Sequence, residues 1–151
     1  MTATVVLLFL AAQVAQSPTF ALPAGAGAWI VRIETSGGFT GRGSGSFTAS
    51  SAGELLCPST ASCPSRLAAG AQQSIGKLVA DVRLVADVSA HPAVGTSGIC
   101  SDCVTTTMTV QRRDDDGERT IQFRWDESTL GTVPGEVLRL HSAVVATARL
   151  R

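Results

Sequence analysis

The chain has 151 residues, 44% of them hydrophobic, and its 12 Lys and Arg balance its 12 Asp and Glu. That length and composition fit one ordinary globular domain plus a leader. A balanced charge excludes the basic surplus that phosphate binding needs, so nucleic acid is not an expected partner.

In chain order, Val5 to Ala12 is an apolar run of signal-peptide length, too short to cross a bilayer of about 30 Å as a helix. Small residues after it offer cleavage after Ser17, Ala21 or Ala26, with Pro18 arguing against the first. The expected division is a leader over 1–21, a Pro/Gly/Ala linker over 22–28 and a single domain over 29–151. Such a chain is expected to be secreted or periplasmic, with no membrane association in its mature form.

Trp29, Val31 and Ile33 alternate with Ile30, Arg32 and Glu34, the period-two pattern of a strand with one buried face. Ser36-Gly37-Gly38 is expected to turn the chain, since glycine accepts positive φ without steric cost. Gly41 to Ala49 reads as a glycine-weakened strand at an edge or a bulge, and Ser50 to Gly53 as a turn into a short third strand, Glu54 to Cys57. The periodicity then changes. Leu67, Ala71, Ile75, Leu78, Val82 and Val85 form one stripe of an amphipathic helix that starts near Pro64 and Ser65 and ends before His91-Pro92. Gly70 and Gly76 each cost that helix about 1 kcal/mol relative to alanine, so it must owe its stability to packing.

Val104 to Arg112 and Glu118 to Trp125 read as an antiparallel pair joined by the turn Asp114 to Gly117. Thr106, Met108 and Val110 share one face, as do Arg119, Ile121, Phe123 and Trp125 on the return. After the loop Asp126 to Val133, Pro134 suits the first position of a helix whose stripe is Val137 or Leu138, His141, Val144 or Val145, and Ala148. The expected fold is α+β: a small antiparallel sheet of four to five strands with two helices on one face, in the order β-β-(β)-α-β-β-α.

Four cysteines, Cys57, Cys63, Cys100 and Cys103, allow three disulfide connectivities in an oxidising compartment. Local closure would restrict the unfolded chain little, and cross-cluster pairing more. Zinc is the weaker reading, because Cys-x5-Cys is loose for a zinc knuckle and the leader points outward. Cys100-x-x-Cys103 leads into a strand, not a helix N-terminus, which disfavours redox catalysis.

Other chemical motifs fail on inspection. The acidic turn Asp114 to Asp116 would begin a calcium loop, but Arg112 holds the first ligand position and Phe123 stands where a bidentate Glu is required. Gly41 to Ser46 lacks the third glycine of a dinucleotide fingerprint, and Gly95 to Ile99 lacks the final glycine of a nucleophile elbow. His141 and Ser142 are neighbours on a helix and point about 100° apart, so they cannot act as base and nucleophile. The sequence is therefore read as non-enzymatic, with no catalytic residue, metal or cofactor, and as a monomer.

Ile33-Glu34-Thr35-Ser36-Gly37-Gly38-Phe39-Thr40-Gly41 resembles the opening strand and turn of the emfourin family, small protein inhibitors of thermolysin-like metalloproteases. The resemblance continues in order and spacing from Trp29 to Arg149: the helix Leu67 to Val85, Asp102 before a strand, the hairpin Thr105 to Trp125 and the last helix Pro134 to Ala148. It implies Ser36, Gly37, Gly38, Phe39 and Gly41 as the family signature, Asp102 as a structural anchor and a metalloprotease as protein partner. The chain departs from the family in its leader, in the Ser50 to Pro64 insertion and in its cysteines. A rigid inhibitor gains affinity from preorganised loops. The expected contact residues are Gly37, Gly38 and Phe39, with Ser97, Gly98 and Ile99 in the loop Ala93 to Cys103. The alternative is a binding or structural module of the cell envelope with the same fold.

Overall fold

The computed structural model describes residues 20–37, 45–58, 63–81 and 103–148. Among them are five strands: β1 (Trp29–Gly37), β2 (Gly45–Ser50), β3 (Leu55–Leu56), β4 (Val104–Asp114) and β5 (Gly117–Trp125). The two helices are α1 (Ala69–Asp81) and α2 (Gly135–Thr147), with a 3-10 turn at Leu130–Thr132 before α2. The strands form one antiparallel sheet in the order β3-β2-β1-β4-β5. This is the α+β architecture expected from the sequence.

Register determines which side chains share a face. Val31 lies between Ala49 and Val110, and Val110 faces Ile121; Ile33 lies between Phe47 and Met108, and Met108 faces Phe123. These side chains, with Trp29, Leu55 and Trp125, meet Ile75 and Val79 of α1 and Val137, Leu140 and Val144 of α2 in one core. Both helices thus cover the same face. Fully burying an aliphatic or aromatic side chain of this kind contributes about 1.5–3 kcal/mol, so this cluster is the main source of stability.

Alternation predicts the face but not the exposure. Ile30 falls on the opposite side of β1, with Arg32 and Glu34, yet is only 2% exposed. Its place on the central strand, between Ser50 and Gln111, shields it from both sides.

Several boundaries differ from the sequence reading. β1 continues through Gly37, which pairs with Val104, so the expected turn at Ser36-Gly37 is strand. β2 begins at Gly45 and takes an inner position, while β3 shrinks to Leu55–Leu56 because Glu54 instead bridges to Arg66. Helix α1 starts at Ala69 and not at Pro64; Leu67 precedes it but still enters the core, held by its N–H donating to Gly53 O at 2.9 Å. Val82 and Val85 lie outside the described residues. Pro134 caps α2 from outside the helix, its carbonyl accepting from the N–H groups of Val137 and Leu138. The buried stripe of α2 is Val137, Leu140, Val144 and Thr147, with His141 at its margin.

The expected linker is tied to the sheet. Gly27 N–H donates to Arg113 O at 3.0 Å, Arg113 N–H to Ala28 O at 2.8 Å, and the Arg113 guanidinium to Pro23 O at 3.1 Å. At the β4–β5 tip, Arg112 pairs with Asp114 at 2.9 Å and Arg119 with Asp116 at 3.2 Å. The acidic turn is thus met by arginines from its own hairpin. Past β5, Asp126 closes the chain reversal: its Oδ1 accepts from Ser128 Oγ at 2.6 Å and from the N–H groups of Ser128 and Thr129. The Ser128 hydroxyl first, then the other bonds, hold this carboxyl below its usual pKa.

Candidate functional site

One end of the sheet holds Gly37 and the strand end at Val104. Gly45, Thr35, Thr106 and Trp125 form a row across β2, β1, β4 and β5. Just beyond that row β1 stops at Gly37 and β4 starts at Val104, and the two are register partners. Gly37 has φ +102°, and a Cβ there would lie 2.5 Å from Cys103 O. Only glycine fits, because any side chain would enter the adjacent backbone. Cys103 is itself disulfide-bonded.

The insertion after β3 returns to the same end. Pro58 packs over Gly45, where a Cβ would lie 3.0 Å from its Cγ. Thr35 Oγ1 donates to Gly45 O at 3.3 Å. Cys57 and Cys63 form a disulfide with a Cα–Cα distance of 6.2 Å, which realises local closure for this pair. Both sulfurs are therefore oxidised and offer no thiolate to zinc. The cystine is partly buried against the core, with Cys63 Sγ 4.0 Å from Ala148 O at the C-terminus of α2.

Trp125 closes the row, and its ring meets that of His141 edge to face, centroids 5.5 Å apart. Burial pushes the His141 pKa below its usual value, favouring the neutral imidazole. Its observed role is packing against the last residue of β5.

Of the expected contact residues, Gly37 is placed at this end, where its conformation is a strand end fixed by close approach to Cys103. Gly38, Phe39, Ser97, Gly98 and Ile99 lie outside the described residues, as do Cys100, Asp102 and Gly41. The register nevertheless sets Gly37, which Gly38 and Phe39 follow in sequence, beside Val104, which the segment 93–103 precedes in sequence.

Two features escaped the sequence reading. At the opposite end of β1, a cleft of about 220 Å³ is lined by Trp29, Gly76, Val79, Arg112 and Asp114, among others. Arg112 spans it, donating to Val79 O at 3.4 Å and to Asp114. The signal that could have found it is Gly76, a glycine inside a helix period, which often marks close approach. The other is the outer edge of β5, unpaired among the described residues, which no local sequence pattern could identify. Comparison with family models, curated proteins and solved structures finds no match to this chain.

Proposed function

We propose that this chain is a secreted, non-enzymatic inhibitor of a thermolysin-like metalloprotease, which engages its target through the sheet end where β1 stops and β4 starts. The observation that carries this reading is the pairing of Gly37 with Val104. It roots the Ser-Gly-Gly-Phe signature and the Ala93 to Cys103 loop on neighbouring strands, about 5 Å apart. Segments whose ends are held this close on a packed sheet would meet one partner together, and fixing the ends before binding lowers the ordering cost. The order of strands and helices agrees with what the emfourin resemblance implies.

Export is supported by the Cys57–Cys63 disulfide and by the oxidised state of Cys103, since such bonds persist in oxidising compartments. Among the described residues, no helix is long and apolar enough to cross a membrane.

The test is a titration of purified full-length protein against thermolysin and a panel of related metalloproteases. Dose-dependent inhibition that weakens when Gly37 is replaced by a bulky residue, in a variant shown to remain folded, supports the reading. Micromolar protein leaving the whole panel unaffected would sink it. A pull-down from culture that returns wall components and no protease would favour a cell-envelope binding module instead.

A further inference from the structure

The two edges of the sheet are unlike. β3 is two residues long, whereas β5 runs for nine. Edge strands are normally blunted by short length, charged side chains, proline, a bulge or a covering segment. β5 carries charges at Glu118, Arg119 and Arg124 but no proline or bulge, and its register with β4 is unbroken from Gly117 to Trp125. Glu118, Thr120, Gln122 and Arg124 are all exposed.

The direction of its free main-chain groups follows from the ladder. Arg113 exchanges backbone hydrogen bonds with Gly27 and Ala28 on the β1 side, so odd-numbered residues of β4 bond toward β1 and even-numbered ones toward β5. With Val110 opposite Ile121 and Met108 opposite Phe123, the odd-numbered residues of β5 bond inward. The N–H and C=O groups of Glu118, Thr120, Gln122 and Arg124 therefore point away from the sheet. Among the described residues, no other backbone group takes them up.

We propose that this edge pairs antiparallel with the same edge of a second copy of the chain, about a two-fold axis at Ile121. In that register Glu118 faces Arg124 of the second copy, Thr120 faces Gln122, and the symmetry repeats both pairs. All four outward residues are used. Each is a hydrogen-bonded pair, and the one acid and the one base on the outward set meet in opposite sense twice. A slip by two or four residues in either direction loses both charge pairs, and a slip by six sets Glu118 against Glu118 or Arg124 against Arg124. This self-complementarity selects a second copy over an unrelated peptide strand. Ile121, Phe123 and Trp125 sit at the rim of the core with 6–8% exposure, and pairing would cover them further. The sequence read alone implies a monomer; the edge departs from that expectation.

The test is sedimentation of the full chain from low micromolar to hundreds of micromolar, with two sets of variants. Thr120→Pro removes an outward N–H and no ladder bond, so the fold should persist while association is lost, with circular dichroism checking the fold. Glu118→Arg should weaken association by about tenfold, and Glu118→Arg with Arg124→Glu should restore it. A concentration-dependent dimer with that rescue supports the proposal. A monomer throughout the range, a dimer indifferent to Thr120→Pro, a double variant without rescue, or a monomer that instead captures extended peptides along β5 would overturn it.

Discussion

Gly37 and Cys103 approach so closely that a Cβ at position 37 would lie 2.5 Å from the Cys103 carbonyl oxygen. Because φ at Gly37 is also +102°, space and backbone both exclude a side chain. Gly37→Ala is expected to cost about 1–3 kcal/mol in urea unfolding. Gly131→Ala, at a position with open space, should stay within about 0.5 kcal/mol. Equal effects at the two sites would mean the contact with Cys103 does not constrain the native state.

The two glycines of α1 should behave oppositely. Nothing lies near a Cβ at Gly70, so Gly70→Ala should gain up to about 1 kcal/mol of helix propensity. At Gly76 a Cβ would meet Trp29 Nε1 at 3.1 Å, and Trp29 belongs to the packed core. Gly76→Ala should therefore lose that gain or destabilise. Thermal melts of the two variants decide the matter, and stabilisation by Gly76→Ala would show that Trp29 moves freely.

Stability should fall on mild acidification through His141. Its folded pKa is depressed by burial, so between that value and the unfolded pKa of about 6.5 the unfolded chain binds the extra proton. The neutral form's contribution is complete above about pH 6.5 and declines as pH drops below it. Melting temperatures measured from pH 7.5 downward should decrease, and His141→Phe should flatten part of that decline. An unchanged slope in the variant would place the acid sensitivity elsewhere.

Breaking the Cys57–Cys63 bond should cost at most about 2 kcal/mol, because it closes a loop with a sequence separation of only 6. Cys57→Ala with Cys63→Ala should fold with an unchanged far-ultraviolet spectrum. Shortening the core is expected to matter more: Leu140→Ala, at a fully buried position of α2, should cost about 2–5 kcal/mol. A reversal of that order would mean the cystine, and not the core, holds the helices to the sheet.

The β4–β5 hairpin was legible because Met108, Val110, Ile121 and Phe123 alternate cleanly around a short acidic turn, a pattern complete within local sequence. The same holds for the buried face of β1; in the helices the period was legible, but Val79 and Leu140, which enter the core, fall outside the stripes read from the sequence. Boundaries were less legible where a long-range partner overrides local preference. Gly37 reads as a turn residue, but Val104 extends β1 through it. Glu54 reads as strand, but Arg66 draws it into an isolated bridge. Leu140 lies beside the stripe that His141 marks in the sequence, and helical period alone does not say which of two adjacent stripes meets the sheet.

By itself the sequence determined the α+β class, the order of strands and helices, and the residues able to form a core, because these follow from periodicities of two and 3.6 residues. Only the tertiary structure decided the strand order that makes β1 central, the meeting of Gly37 with Cys103, the fit of Trp29 against Gly76 and the edge of β5 left unpaired among the described residues. Those depend on contacts between segments far apart in the chain, whose register is set by packing and not by any local preference.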